Sequence, residues 1–127
     1  MADDSLIVLL LEDDPTLADI TGFRLELLGY QVQTRASAAE ALQWLSAALP
    51  DDIILDLALA GNEGLDLLNK LSNDERMGAV PVLVFSTSAD LDDVQRAYAA
   101  GADEFLVTPY DPANLEKKVE KLLATKT

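Results

Sequence analysis

Neither cysteine nor histidine occurs among the 127 residues. Their absence excludes disulfides, thiolate zinc sites, cysteine nucleophiles, histidine general bases and any Ser-His-Asp arrangement. It equally excludes phosphohistidine chemistry on this chain. Basic residues are scarce, 9 against 23 acidic, and the formal net charge is -14. Such a chain repels the phosphate backbone that dominates nucleic-acid affinity, so direct DNA or RNA binding is not expected. No run approaches the roughly 20 apolar residues a membrane span needs, and the opening Met-Ala-Asp-Asp lacks the basic start of a targeting segment. A soluble, cytoplasmic protein is the expectation. No GxGxxG or Walker-type loop follows the first apolar run, which leaves nucleotide binding without support.

What remains is half apolar, enough for one core but not two, and a single domain over residues 1–127 is expected, with its core at about 5–124. The reactive groups are carboxylates, hydroxyls and a few Lys and Arg side chains. Any bound metal should therefore be a hard, oxygen-preferring cation, and magnesium leads. Surface acidity usually serves solubility alone, so the positions of the acids decide whether it does more.

Short apolar runs alternate with segments of helical period, the pattern of a parallel sheet covered by helices. Five rounds are read, with strands at about Leu6 to Leu11, Tyr30 to Thr34, Asp52 to Asp56, Val80 to Phe85 and Glu104 to Val107. The unbroken LIVLLL suits a central strand buried on both faces, and the alternating YQVQT suits an edge. Pro81 fits the start of the fourth strand. Asp14-Pro15 and Asp111-Pro112 each supply a capping carboxylate followed by proline at the first helical position, and Ser37 to Glu40 reads as a capping box. Leu17, Ile20, Phe23 and Leu27 are expected to form a core-facing stripe, as are Ala38, Ala41, Leu42 and Leu45, and Leu115, Val119 and Leu122. Gly29 and Gly101 fall where helix C-terminal glycines belong, the latter closing the helix that carries Leu91, Val94 and Tyr98. Right-handed crossovers between such elements give an open doubly wound α/β sheet, which binds ligands beyond the carboxyl ends of its strands.

At those ends stand Glu12-Asp13-Asp14 after the first strand and Asp56 after the third. Two carboxylates about 4 Å apart repel by roughly 4 kcal/mol at an effective dielectric near 20, so such a cluster calls for a cation or a proton. Magnesium suits it, because that ion joins one or two carboxylates to a phosphate. The plainer alternative is that Asp14 only caps a helix, Glu12 is solvated and Asp56 opens an ordinary loop. Against this, Asp56 directly follows the apolar Ile53-Ile54-Leu55, where an uncompensated carboxylate is disfavoured. The fourth strand ends in Phe85-Ser86-Thr87-Ser88, whose hydroxyls either meet a phosphoryl oxygen or form a Ser/Thr turn.

LIVLLLEDDP, DIILDLALAG, PVLVFSTS and GADEFLVTPYD occur in the order and spacing of response-regulator receiver domains, and nearly the whole chain resembles that family. The resemblance implies a flavodoxin-like sheet of five parallel strands in the order 2-1-3-4-5 with five helices. It makes Asp56 the phosphoacceptor, Asp13 a magnesium ligand, Glu12 its acidic neighbour in the metal site, and the Ala58 backbone carbonyl a further ligand. Ser86 matches the hydroxyl that follows the phosphoryl group and Phe105 the aromatic that reorients with it, although a plain core aromatic is an equal reading of Phe105. The implied donor is a histidine kinase or phosphotransfer protein. A downstream protein target is implied at the fourth helix, fifth strand and fifth helix, including Tyr98 and Phe105.

Three positions depart from the family pattern. Thr108 replaces the lysine that usually precedes the proline of the fifth-strand motif, Ala60 stands where proline is usual, and Thr87 where a smaller residue is common. The first matters most, since an aspartyl phosphate should carry roughly -1.5 to -2 charge and loses a charge-assisted contact. The leading reading is a magnesium-dependent phosphoacceptor that switches an interaction surface; it is not an enzyme acting on a separate substrate, though receivers assist their own phosphoryl transfer. The alternative is a pseudo-receiver, a phosphorylation-independent binding scaffold. A phosphohydrolase with an aspartyl nucleophile is disfavoured, because Ala58 occupies the place of its second Asp.

Overall fold

The computed structural model describes residues 5–59 and 63–124. Ala60 and the Met-Ala-Asp-Asp opening lie outside them. Five strands and five helices are found among the described residues: β1 (Ile7–Leu11), α1 (Pro15–Leu27), β2 (Gln31–Arg35), α2 (Ala38–Leu45), β3 (Asp52–Asp56), α3 (Glu63–Ser72), β4 (Val82–Ser86), α4 (Leu91–Ala100), β5 (Glu104–Val107) and α5 (Pro112–Leu123). A 3-10 turn at Glu75–Met77 precedes β4. All strand pairings are parallel, and the sheet order is β2-β1-β3-β4-β5. This is the expected flavodoxin-like arrangement, with β2 at an edge and β1, β3 and β4 in the interior.

The period-two alternation of strand side chains divides the core into two layers. Leu9, Leu11, Ile53, Leu55, Val82, Val84 and Phe105 face the side covered by α2, α3 and α4, where they meet Ala41, Leu45, Leu67, Leu68, Leu71, Ala97 and Ala100. Val8, Leu10, Ile54, Leu83, Phe85 and Leu106 face the other side and pack on Leu25 of α1 and on Leu115, Val119 and Leu123 of α5. A strand buried on both faces has no polar alternation, which is why β1 and β3 read as continuous apolar runs.

The capping chemistry follows the sequence closely. Asp14 accepts from the Thr16 and Leu17 amides at 3.0 and 3.3 Å, and Asp111 from the Ala113 amide at 2.9 Å. Ser37 Oγ accepts from the Glu40 amide, while the Glu40 carboxylate reaches back to the amide of Ala36, one residue before the expected partner. Gly101, at φ 124°, closes α4 against Ser72, whose Cβ lies 2.5 Å from where a Cβ on residue 101 would stand.

Several expectations need correction. In α1 the expected core stripe points outward: Ile20, Phe23 and Leu27 are 47%, 62% and 70% exposed, and Leu17 is only half-buried. The face on the sheet is instead Ala18, Thr21, Gly22 and Leu25. Large apolar residues occur around most of this helix, so periodicity does not single out a face, and the face that lies close to the sheet takes small residues. A Cβ on Gly22 would meet Val32 at 3.8 Å. Leu42 is likewise exposed, at 38%, whereas Leu123 joins Leu115 and Val119 on the inner face of α5 and the half-buried Leu122 packs against them. The fourth strand begins at Val82, two residues later than expected, with Pro81 just before it.

Candidate functional site

Strand register explains why acids remote in sequence meet. β1 and β3 are neighbours with Leu11 opposite Leu55, so the next residue of each strand, Glu12 and Asp56, leaves the sheet side by side. Carboxylate oxygens of Glu12, Asp13 and Asp56 all lie within 4.8 Å of one another. Glu12 is buried, Asp56 half-buried and Asp13 exposed. The cluster thus runs from the protein interior to water.

The electrostatics of this rim are unfavourable without a countercharge. Burial first, and then the facing Asp56 carboxyl, push the Glu12 carboxyl up to about 8, while the Asp14 amide that donates to Glu12 Oε2 at 3.2 Å opposes the rise. Glu12 Oε1 is buried with no hydrogen-bond donor among the described residues. A buried acceptor without a donor is costly, and a cation would relieve the cost. Asp56 is held by the Ala58 amide, which donates to its Oδ1 at 2.8 Å. The donor set is all oxygen, as a hard divalent cation requires.

β4 contributes the hydroxyl side of the rim. Asp56 pairs with Phe85 in register, so Ser86 ends β4 one step further on. Ser86 is 8% exposed, and its Oγ accepts from the Ser88 amide at 3.1 Å. Ser88 Oγ donates in turn to Asp93 of α4 at 2.7 Å. The Thr108 amide donates to the Ser86 carbonyl at 2.8 Å, which brings the residue in the usual lysine position to the same rim. Phe105 lies in the core layer beneath α4 and is 8% exposed. Asp14 caps α1, as expected. A hollow of about 460 Å³ opens next to the loop that follows Asp56, its wall including Ala58, Ser86, Thr87 and Arg96 together with two further acids, Asp66 and Asp93.

Two contributors go beyond the residues expected from the sequence. Gly64 in the first turn of α3 packs on the loop after β3, where a Cβ would lie 2.6 Å from Leu57 Cα and 2.8 Å from the Asp56 carbonyl oxygen. Its signal is a glycine within a helical pattern, which often marks close backbone approach. Tyr110 is the other: its ring lies 5.5 Å from that of Phe85, and its hydroxyl bonds Thr21 Oγ1 at 2.7 Å. Acids also serve the opposite end of the sheet. Asp51 accepts from the Ile7 amide and Asp103 from the Val82 amide, both at 2.8 Å, so part of the acidic excess secures strand beginnings.

A family model described as the response regulator receiver domain matches residues 8–120. The chain belongs to this family. Receiver domains are signalling domains of two-component systems. Among similar proteins is the DNA-binding dual master transcriptional regulator RpaA of Synechocystis, 31% identical over 91% of this chain. The chain spans 48% of that relative's length. The signal receiver domain of a signal transduction histidine kinase from Syntrophus aciditrophicus superposes with a TM-score of 0.88 at 31% identity, over 95% of this chain and 92% of its own. The receiver domain of sensor histidine kinase PA1611 of Pseudomonas aeruginosa, whose structure has magnesium coordinated in the active site cleft, shares the fold with a TM-score of 0.85 at 23% identity, over 94% of this chain and 98% of its own. Among the described residues of this receiver domain, no helix is long and apolar enough to cross a membrane.

Proposed function

We propose that this receiver domain, a single unit over residues 1–127 acting in the cytoplasm, accepts a phosphoryl group on Asp56 in a magnesium-dependent reaction. The observation that carries the reading is the convergence of the Glu12, Asp13 and Asp56 oxygens within 4.8 Å, with the buried Glu12 Oε1 lacking a donor among the described residues. Asp13, Asp56 and the Ala58 carbonyl would hold the ion, with Glu12 behind them. When bound, the ion would supply charge neutralisation and Lewis-acid polarisation of a phosphoryl oxygen.

The remaining chemistry belongs to the chain. An Asp56 oxygen attacks the phosphorus of a phosphohistidine on a kinase or phosphotransfer protein. The phosphorus–nitrogen bond breaks, its electron pair returns to the imidazole, and an acyl phosphate forms. The Ala58 amide, already on Oδ1, orients the attacking carboxylate. Ser86 turns its hydroxyl from the Ser88 amide toward the new phosphoryl oxygens. Phe105, beneath α4, transmits the rearrangement to the surface formed by α4, β5 and α5, where Tyr98 is 43% exposed and a downstream protein target docks. The bias is local electrostatics acting on a two-state surface.

The test is incubation with acetyl phosphate, with and without magnesium, followed by intact-mass measurement. One phosphoryl adduct that requires magnesium and disappears in Asp56→Asn is expected. Thr108 favours a second reading, a scaffold that binds partners without phosphorylation. An unlabelled wild-type protein that still binds its partner would establish that reading instead.

A further inference from the structure

A chain that lacks the fifth-strand lysine must neutralise the phosphoryl group by other means, and its net charge of -14 sharpens that need. Most described cations are engaged or placed elsewhere. Lys118 and Lys121 hold Glu104 at 2.7 and 3.2 Å. Arg76 donates to the Leu45 carbonyl, and Arg35 to the Thr34 carbonyl and Gln33. Arg24 and Lys70 lie in the last turns of α1 and α3, away from the rim where the strands end. Arg96 is different. It lines the hollow of about 460 Å³ that Ala58, Ser86 and Thr87 also line, and no other Lys or Arg among the described residues does.

We propose that Arg96 is the cation that contacts the phosphoryl group on Asp56, in place of the missing lysine. The inference rests on the phosphoacceptor reading above. Arg96 is held by a neighbour on its own helix: its guanidinium lies 3.7 Å from Asp93, with side-chain exposures of 70% and 43%. An exposed pair of this kind contributes little and is readily exchanged for a better anion. Arg96 also stands at the end of a polar chain from the rim, in which the Ser88 amide donates to Ser86, the Ser88 hydroxyl to Asp93, and Asp93 pairs with Arg96. The hollow gives the guanidinium room to turn from Asp93 toward the wall formed by Ser86 and Ala58. Arginine suits the task, since its fork of donors matches phosphate oxygens two at a time.

The test compares rates of magnesium-dependent labelling by acetyl phosphate in wild type, Arg96→Gln, Asp93→Asn, Thr108→Lys and the double variant Thr108→Lys/Arg96→Gln, with Asp56→Asn as blank. Arg96→Gln should label on the order of tenfold more slowly, as befits loss of a charge-assisted contact. In the Thr108→Lys background the same change should cost less than about twofold, because the introduced ammonium then serves the phosphoryl group. Asp93→Asn should not slow labelling, since it releases Arg96. Wild-type labelling with no loss in Arg96→Gln overturns the role of Arg96 alone, as does an equal loss in Asp93→Asn or an undiminished loss in the Thr108→Lys background. Absence of any Asp56-dependent adduct in wild type overturns the phosphoacceptor reading, and the role of Arg96 with it.

Discussion

Glu12 and Asp56 leave adjacent parallel strands one residue beyond the Leu11–Leu55 pair, and their carboxylates face each other, with that of Glu12 buried. Parallel register alone brings them there, because residues one step past a matched pair stay level with each other. The apolar strands that precede them form the core, so the same residues that stabilise the sheet fix the spacing of the acids.

The proton and the cation compete for this pair. The folded-state value of Glu12, about 8, lies above the ordinary carboxyl value of 4.5. Folding therefore favours the protonated form, and the metal-free fold should lose stability as pH rises from the ordinary value through about 8, by a few kcal/mol at most. Magnesium requires the ionised form, so its stabilising effect should grow over that range. Thermal melts at several pH values check both trends, and Glu12→Gln should flatten the metal-free one.

Gly64→Ala should be among the most disruptive single-methyl changes. Its Cβ would stand 2.6 Å from Leu57 Cα, and backbone, unlike a flexible side chain, cannot simply step aside. A loss of about 1–3 kcal/mol is expected from overpacking, together with weaker magnesium binding, because the displaced backbone carries Asp56. Denaturant melts and magnesium titration of the variant measure the two effects.

The fold is legible in the sequence because its signals are redundant. Four of the five strands carry an apolar run and the edge strand alternates, most helices have a polar cap, and the acids fall at strand ends, where register makes them converge. Position within an element is less legible. Ile20, Phe23 and Leu27 point outward, against expectation, because α1 meets the sheet through Ala18, Thr21, Gly22 and Leu25, and small inner residues leave no apolar stripe to read. Gly64 and Arg96 cannot be assigned from spacing, since their significance depends on which backbone and which hollow they meet in three dimensions.

The two faces of α1 should differ measurably. Leu25→Ala, at a fully buried position, should cost about 2–5 kcal/mol. Phe23→Ala, at a residue 62% exposed, should change stability by no more than about 0.5 kcal/mol in either direction. Chemical denaturation of the two variants side by side separates the inner from the outer face.

Glu104 behaves oppositely to Glu12. Burial alone would raise its carboxyl, but hydrogen bonds and charge from Lys118 and Lys121 outweigh burial and hold it below the ordinary value. A depressed value means stability that is present above the ordinary carboxyl range and lost as pH falls through the folded-state value. Glu104→Gln should therefore destabilise the protein at neutral pH and narrow its difference from wild type in acid, as melts at neutral and acidic pH would record.

The cation site itself is tested most directly by calorimetric titration of magnesium into wild type, Asp13→Asn and Asp56→Asn at pH 8. One ion should bind each wild-type molecule, and either substitution should weaken binding at least about tenfold. Wild-type protein that takes up no magnesium, or variants that bind it as well as wild type does, would contradict the account.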